Sequence, residues 1–293
     1  MKLSTGDGRV IHRIRRLETS YPQESEFFLN PTQMLIGFGL ASIVAGLAYL
    51  AGSLSISGAV AAVCIGIMTF GVGGGMATIL LLLFFISSSL LSKVGGVQKK
   101  RVASAFAKGG RRDWAQVLAN GLLASSMATL YGISGELVWL AGMAGALAAS
   151  NADTWSTELG VLAKRWPRRI LSGEIVEPGT SGGITLEGTL ASLAGATLIA
   201  LAAAIGLREW LFLPVVILAG FLGGFVDSLL GASVQTIYFC SQCGKETERH
   251  PAHACGTPTT YLRGWRWMNN DSVNCIASLT GMMIAILGWN LLL

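Results

Sequence analysis

The ten residues N-A-D-T-W-S-T-E-L-G, Asn151 to Gly160, put an asparagine and two carboxylates directly behind a long apolar run. A carboxylate near bilayer depth costs a few kcal/mol on insertion scales, so Asp153 and Glu158 mark a candidate functional site. Thr154 and Glu158 lie one helical turn apart, as do Asp153 and Thr157, and such a segment presents several oxygen ligands at one depth. Paired carboxylates among neutral oxygens suit Mg²⁺, which keeps several waters while bridging phosphates. Either acid could instead act as a general base. A further acid, Asp227, is isolated in G-G-F-V-D-S-L-L-G-A-S-V-Q. Inside an apolar helix its expected companion is a metal or an arginine, with Gln235 eight residues on along the same face.

Three other stretches offer groups for phosphate. In K-G-G-R-R-D-W-A-Q-V-L-A-N-G, Lys108, Arg111 and Arg112 flank a glycine pair just before a helix begins, and a helix N-terminus with free N–H groups favours anions. Arg112, Gln116 and Asn120 then recur every four residues, a polar seam expected to share partners. In E-P-G-T-S-G-G, residues Thr180, Ser181 and Gly182 offer hydroxyls and open amides at the start of the next span, with Glu187 a further candidate for a buried acid. The chain has no G-x-x-x-x-G-K-[ST] phosphate loop. Finally, W-R-W-M-N-N-D-S-V-N places Asp271, Asn274 and Ser278 on one helical face, beside Asn270.

A different chemistry sits in C-S-Q-C-G-K-E-T-E-R-H-P-A-H-A-C-G. Cys240 and Cys243 form a CxxC knuckle, and with His253 and Cys255 they make a four-ligand set for a structural Zn²⁺, His250 standing in reserve. Cys64 and Cys275 lie in apolar segments and read as buried small hydrophobes.

The elements that must position these groups are membrane helices. About half of the 293 residues are apolar, and mean hydropathy is +0.58. The apolar residues form long blocks, which in hydrocarbon must be helical because every backbone polar group needs an internal partner. Eight segments are predicted, roughly Leu35 to Leu50, Ser57 to Phe70, Met76 to Leu91, Ala115 to Tyr131, Leu137 to Ala149, Leu186 to Ile205, Trp210 to Leu230 and Val273 to Leu292. The expected fold is therefore all-α: a polytopic helical membrane protein of about 7–8 transmembrane helices. Residues 1–32 read as a charged extension without a signal-peptide core, residues 33–293 as the membrane domain, and 236–268 as its Cys/His-rich loop.

Lys and Arg concentrate between Lys93 and Arg112, Lys164 and Arg169, and Lys245 and Arg266, so those loops are expected to face the cytoplasm together. On this view the net charge of +5 reports topology and not affinity for nucleic acid. The N-terminus conflicts with it. Three spans before Lys93 place it outside despite its basic residues, unless it is an interfacial segment or one span does not fully cross.

Carboxylates for Mg²⁺, basic and amide groups for phosphate and a greasy surround are the parts of phosphoryl transfer to a lipid acceptor. Five ordered blocks also carry a resemblance: K-G-G-R-R-D-W-A-Q-V-L-A-N-G, N-A-D-T-W-S-T-E-L-G, P-G-T-S-G-G-I-T-L-E-G-T, G-F-V-D-S-L-L-G-A-S-V-Q and N-N-D-S-V-N. Over roughly residues 33 to 293 the chain resembles the integral-membrane prenyl-phosphate kinase family that includes plant and cyanobacterial phytyl-phosphate kinase, formerly a membrane domain of unknown function. The resemblance implies transfer from a nucleoside triphosphate, CTP favoured, to a prenyl monophosphate such as phytyl or geranylgeranyl phosphate. By chemistry, Asp153, Glu158 and Asp227 are expected at Mg²⁺. Lys108, Arg111, Arg112, Thr180, Ser181 and Gly182 are expected at phosphates, and Asn151, Gln116, Asn120, Asn270, Asp271 and Asn274 at orientation. The same parts also suit another lipid-phosphate transferase or phosphatase, or an ion-coupled transporter or flippase. A transporter, however, should carry polar groups in both halves of the membrane.

Overall fold

In the computed structural model, residues 30–96, 99, 105–106 and 110–292 are described. They form eight helices: α1 (Pro31–Leu50), α2 (Ile56–Gly66, running on through a π turn Ile67–Val72), α3 (Gly74–Lys93), α4 (Trp114–Ser134), α5 (Leu137–Gly160), α6 (Leu186–Leu207), α7 (Phe212–Ser233) and α8 (Asn270–Leu292). Several starts are dictated locally by a side chain that takes the free amides of the first turn. Asn30 accepts from the Thr32 and Gln33 amides ahead of Pro31, and Ser55 and Thr185 accept from the Gly58 and Gly188 amides. Asp113 and Gln116 close a reciprocal capping box on α4.

Six helices (α1, α3, α4, α6, α7, α8) are long and apolar enough to cross a membrane. The other two predicted segments are also helices but differ in kind. The α2 segment is shorter and finishes in the π turn. The α5 helix runs 24 residues, past Ala149 through the whole polar motif, and is enclosed by protein from Leu140 to Ala152. It is the axis of the bundle, packed on α4, α6, α7 and α8, so its outer surface faces neighbours instead of lipid.

Small residues let those neighbours close in, as is usual between membrane helices. Gly220, Gly223 and Gly224 of α7 lie where an added Cβ would come 2.6, 2.5 and 3.2 Å from the Cβ atoms of Ala148, Ala149 and Ala152 on α5. Gly145 and Gly281 meet backbone to backbone between α5 and α8.

Successive helices alternate in direction, and the polar connections gather at one end. Arg112 exchanges backbone bonds with Ser53 and Ser55, Gly160 packs on Gly188, and Gly231 on Ser181. At the other end Gln33 Nε2 donates to the Phe70 carbonyl, 3.0 Å, and Gly206 abuts Met76. Asn30 therefore lies at the end opposite the basic loops, so α1, α2 and α3 each traverse the bundle. Residues 1–29 lie outside the described residues.

Two small sheets complete the polar end. β1 (Arg168–Arg169) pairs antiparallel with β2 (Gly183–Ile184). The segment between α7 and α8 folds as an antiparallel sheet ordered β4-β3-β5, with β3 (Ile237–Cys240), β4 (Lys245–Thr247) and β5 (Thr260–Arg263). Arg263 Nη1 donates to the Gly231 and Ala232 carbonyls at 3.2 and 3.1 Å, tying this insert to the C-terminal turn of α7.

Candidate active site

The close approach of α5 and α7 has a chemical result. One turn beyond Gly223 and Gly224, Asp227 meets Asp153 side chain to side chain. Glu158 and Glu248 bear electrostatically on Asp153, and Glu248 on Asp227 as well. Asp227 Oδ2 is buried and has no hydrogen-bond partner. Two facing carboxyls with an orphaned buried oxygen call for a cation or a shared proton, because like charges at short range in a low dielectric repel strongly. These residues fit a divalent ion of the Mg²⁺ type, which asks for one or two carboxylates and fills its other positions with water and phosphate oxygens.

Glu158 is differently engaged. Its carboxylate accepts from Ser92 Oγ at 2.6 Å and pairs with Lys99 Nζ at 2.5 Å. It also faces Arg112, whose charge burial disfavours and Glu158 supports. Glu158 thus belongs to a cationic corner beside the aspartates. Arg112 is fixed there by its backbone bridge to Leu54, and its guanidinium lies 5.9 and 5.8 Å from the Phe84 and Phe85 ring centres. Below it an apolar groove of ≈ 200 Å³ runs between α1, α2, α3 and α4. Arg112, Gln116, Asn120 and Thr154 form its polar end, and Gly37 and Phe70 mark the other.

On the far flank of the aspartates, the loop of Thr180 to Gly183 lies against the end of α7. Gly182 adopts φ +76 and would place a Cβ 2.4 Å from that of Ala232, so only glycine fits. Ser181 Oγ donates to Gln235 Oε1 at 2.6 Å, and Gln235 Nε2 donates to Glu248 Oε1 at 2.7 Å. Gln235 therefore does not share a helical face with Asp227, since α7 stops at Ser233. Thr180 also borders a polar cavity of ≈ 230 Å³ between this loop and the insert. Its walls carry the Lys245 to Glu177 pair, 2.8 Å, and the Arg169 to Glu246 pair, 3.3 Å.

Other expectations fare differently. Asn151 is wholly buried, and its amide is taken up by structure: Oδ1 accepts from Ser87 and Ser88 at 3.1 and 3.2 Å, and Nδ2 donates to the Gly195 carbonyl at 2.8 Å. It pins α3, α5 and α6 together. The seam of Gln116 and Asn120 does not depend on common partners, because Gln116 closes the capping box and Asn120 bonds the Gln116 carbonyl. Arg111 is exposed, 6.0 Å from the Tyr49 ring centre. Glu187 is exposed and not a buried acid. Asn270, Asp271 and Asn274 occupy the first turns of α8 at the polar end. Lys108 lies outside the described residues.

Sequence reasoning missed Glu248 and Lys99. Neither follows a helical period, and only the acidic run K-E-T-E in the insert hinted that more carboxylates were available.

The second candidate site is the donor set Cys240, Cys243, His253 and Cys255, whose ligand atoms all lie within 4.8 Å of one another. His250 is held elsewhere, stacked on Tyr238 with ring centres 4.4 Å apart. The Thr257 hydroxyl, then His253, hold the Cys255 thiol down to about 5, whereas Cys255 pushes Cys243 up to about 11. Three thiols in mutual contact do not all ionise without a cation among them, and the set fits a tetrahedral zinc site.

The chain matches the family model described as integral membrane protein DUF92 over residues 39–282. It is 35% identical over 266 residues to Protein PGR of Arabidopsis thaliana, covering 82% of this chain and 90% of the relative. It is 33% identical over 202 residues to the uncharacterized membrane protein MJ0933 of Methanocaldococcus jannaschii, covering 68% and 70%. Protein VTE6, chloroplastic, of Arabidopsis thaliana is 27% identical over 268 residues, covering 88% and 72%. No solved structure matches.

Proposed function

The chain belongs to the integral membrane family DUF92, and from that premise we propose that it is a prenyl-phosphate kinase. It transfers the terminal phosphoryl group of a nucleoside triphosphate to a prenyl monophosphate such as phytyl or geranylgeranyl phosphate and releases the diphosphate. CTP is favoured as donor by the motif resemblance alone. The observation that carries the reading is a juxtaposition: a facing pair of acids, Asp153 and Asp227, beside an apolar groove headed by Arg112.

The chemistry follows from that placement. From Ala48 to Gly37 the groove follows α1 for eleven residues, ~16 Å at ~1.5 Å per residue. An apolar tail lies in that length while its phosphate stays with Arg112 and Thr154 at the polar end. Arg112 presents a planar fork that matches phosphate oxygens. An oxygen of the acceptor phosphate attacks the terminal phosphorus of the donor. As that P–O bond forms, the bond to the bridging oxygen breaks and the nucleoside diphosphate leaves.

The acceptor is already an anion, so no dedicated base is required, and the barrier is chiefly repulsion between two phosphates. Asp153 and Asp227 would hold Mg²⁺, which supplies charge neutralisation at the transferring group. Thr180, Ser181 and Gly182 flank the donor phosphates, next to the polar cavity. Lys99 and Glu158 fix the field around Arg112. Asn270, Asp271 and Asn274 line up as orienting groups on α8. The concentration of Lys and Arg in the loops of this end supports a cytoplasmic orientation for it. Among the described residues the connections at the far end are short, at Gly73, Gly135 to Glu136 and Arg208 to Leu211, which disfavours a transporter.

The test is direct. Purified protein in detergent is given Mg²⁺, each of the four nucleoside triphosphates and a panel of prenyl monophosphates, and diphosphate formation is followed. Turnover with at least one pair, dependent on Mg²⁺ and lost in Asp153→Asn, is expected. No diphosphate from any pair would sink the proposal.

A further inference from the structure

One residue of the insert between α7 and α8, Glu248, bears on the aspartate pair. Just past β4 the chain is clamped onto Ala105, whose carbonyl accepts from the Glu248 amide at 2.8 Å and from Thr247 Oγ1 at 3.1 Å. Buried Gln235 holds the Glu248 carboxylate from the other side at 2.7 Å, with its own Oε1 fixed by Ser181. So held, Glu248 acts electrostatically on both Asp153 and Asp227. The hairpin that leads to it turns between Cys240 and Lys245, and the Cys/His cluster bridges that turn to the 253–255 segment downstream of Glu248. A third acid on a separately anchored element, acting on two carboxyls of which one oxygen is buried and unpartnered, raises the local charge demand, and a divalent cation would meet it.

We propose that Glu248 is the third acidic group of the divalent-cation centre and that the Cys/His cluster is the clamp that keeps it there. The inference rests on the cation-binding part of the proposed function and not on the identity of the lipid. It gives the insert a task. One acid comes from α5, one from α7 and one from a metal-closed hairpin, so the centre is complete only when the insert is folded against the bundle. Loss of the cluster through thiol oxidation or metal removal then weakens cation binding without altering either transmembrane aspartate.

The decisive variant is Glu248→Gln, which keeps an oxygen to accept from Gln235 and removes only the charge. Binding of Mg²⁺ and of Mn²⁺ alone is measured by calorimetry and by thermal shift on zinc-loaded detergent-purified protein, with no nucleotide or lipid present. The midpoint for either ion is expected to rise about tenfold in Glu248→Gln, and saturation is expected to vanish in Asp227→Asn. If the wild-type chain binds neither ion, the cation reading itself fails. If wild type binds, Asp227→Asn does not, and Glu248→Gln titrates like wild type, this inference alone is overturned. Cys243→Ser serves as the second arm: zinc content should fall and the Mg²⁺ midpoint should move in the same direction. A zinc-free but folded Cys243→Ser protein with an unmoved midpoint would reject the clamp.

Discussion

Asp153 and Asp227 stand on parallel neighbouring helices and face each other because α7 turns glycines, Gly220, Gly223 and Gly224, toward the alanines of α5. Replace those glycines by larger residues and the two carboxyls are held apart. The pair thus records a trade of folding stability for a charged centre. Neutralising one member should stabilise the cation-free protein by about 1 kcal/mol, which at this size is ~2–4 °C, while abolishing Mg²⁺-dependent turnover. Melting of Asp227→Asn in Mg²⁺-free buffer, with zinc retained, checks this. A lower melting temperature than wild type would mean that the pair is not repulsive.

The Asn151 amide joins three helices through three hydrogen bonds, two of them fully buried. Asn151→Ala leaves the Gly195 carbonyl and two serine hydroxyls without it, and each buried group left unsatisfied costs about 1–3 kcal/mol. The melting temperature should fall further than for any variant in the cavities. An unchanged midpoint, with turnover lost, would return Asn151 to the reaction itself.

Ala45 lines the apolar groove from α1 and is buried. Ala45→Phe fills the space where a lipid tail is proposed to lie. The KM for the prenyl monophosphate should rise about tenfold, equivalent to ~1.4 kcal/mol of binding, with the KM for the nucleotide unchanged. A parallel rise in both would show that the groove does not hold the tail.

Arg112 has its backbone bridged to Leu54 and its guanidinium near the Phe84 and Phe85 rings. Arg112→Lys retains the charge but loses the two-pronged geometry and the stacking. Steady-state kinetics should show kcat/KM for the lipid falling at least tenfold, a difference of ~1.4 kcal/mol or more. Activity equal to wild type would place the acceptor phosphate elsewhere.

The Cys/His cluster should carry one zinc ion per chain by elemental analysis. Its hold should be pH-dependent with a definite sign. Cys255 is depressed to about 5, so its thiolate contribution is present at neutral pH and disappears as pH falls through that value, where protons compete for the ligand. Zinc release near neutrality, or none at pH 4, would contradict the assignment.

The eight helical segments were legible because apolar runs and their caps are local signals. Two features of them were not. A hydropathy reading takes Leu137 to Ala149 for one more lipid-facing span, yet its alanines and glycines fit a helix with protein on every side. The polar stretch after it continues the same helix, since Asn151 and Thr154 satisfy themselves against neighbouring helices and the preceding turn. The meeting of Asp153 with Asp227 could be anticipated from two acids stranded in apolar surroundings. Glu248 could not, because its position depends on a short antiparallel sheet and on a contact with Ala105 some 140 residues earlier, and no periodicity encodes either. Gln235 shares the helical face of Asp227 only if the helix continues past Ser233, and the chain instead turns there toward β3.

The outer side of the groove is formed by α1, which packs chiefly on α2 and buries only Gly37, Ala45 and Ala48. Of all the walls it is the one with least protein behind it, and acyl chains press on its other side. A hydrocarbon guest could then come and go sideways within the leaflet by parting a single helix pair. Its charged head would never have to leave the water boundary, nor would the rest of the bundle have to open.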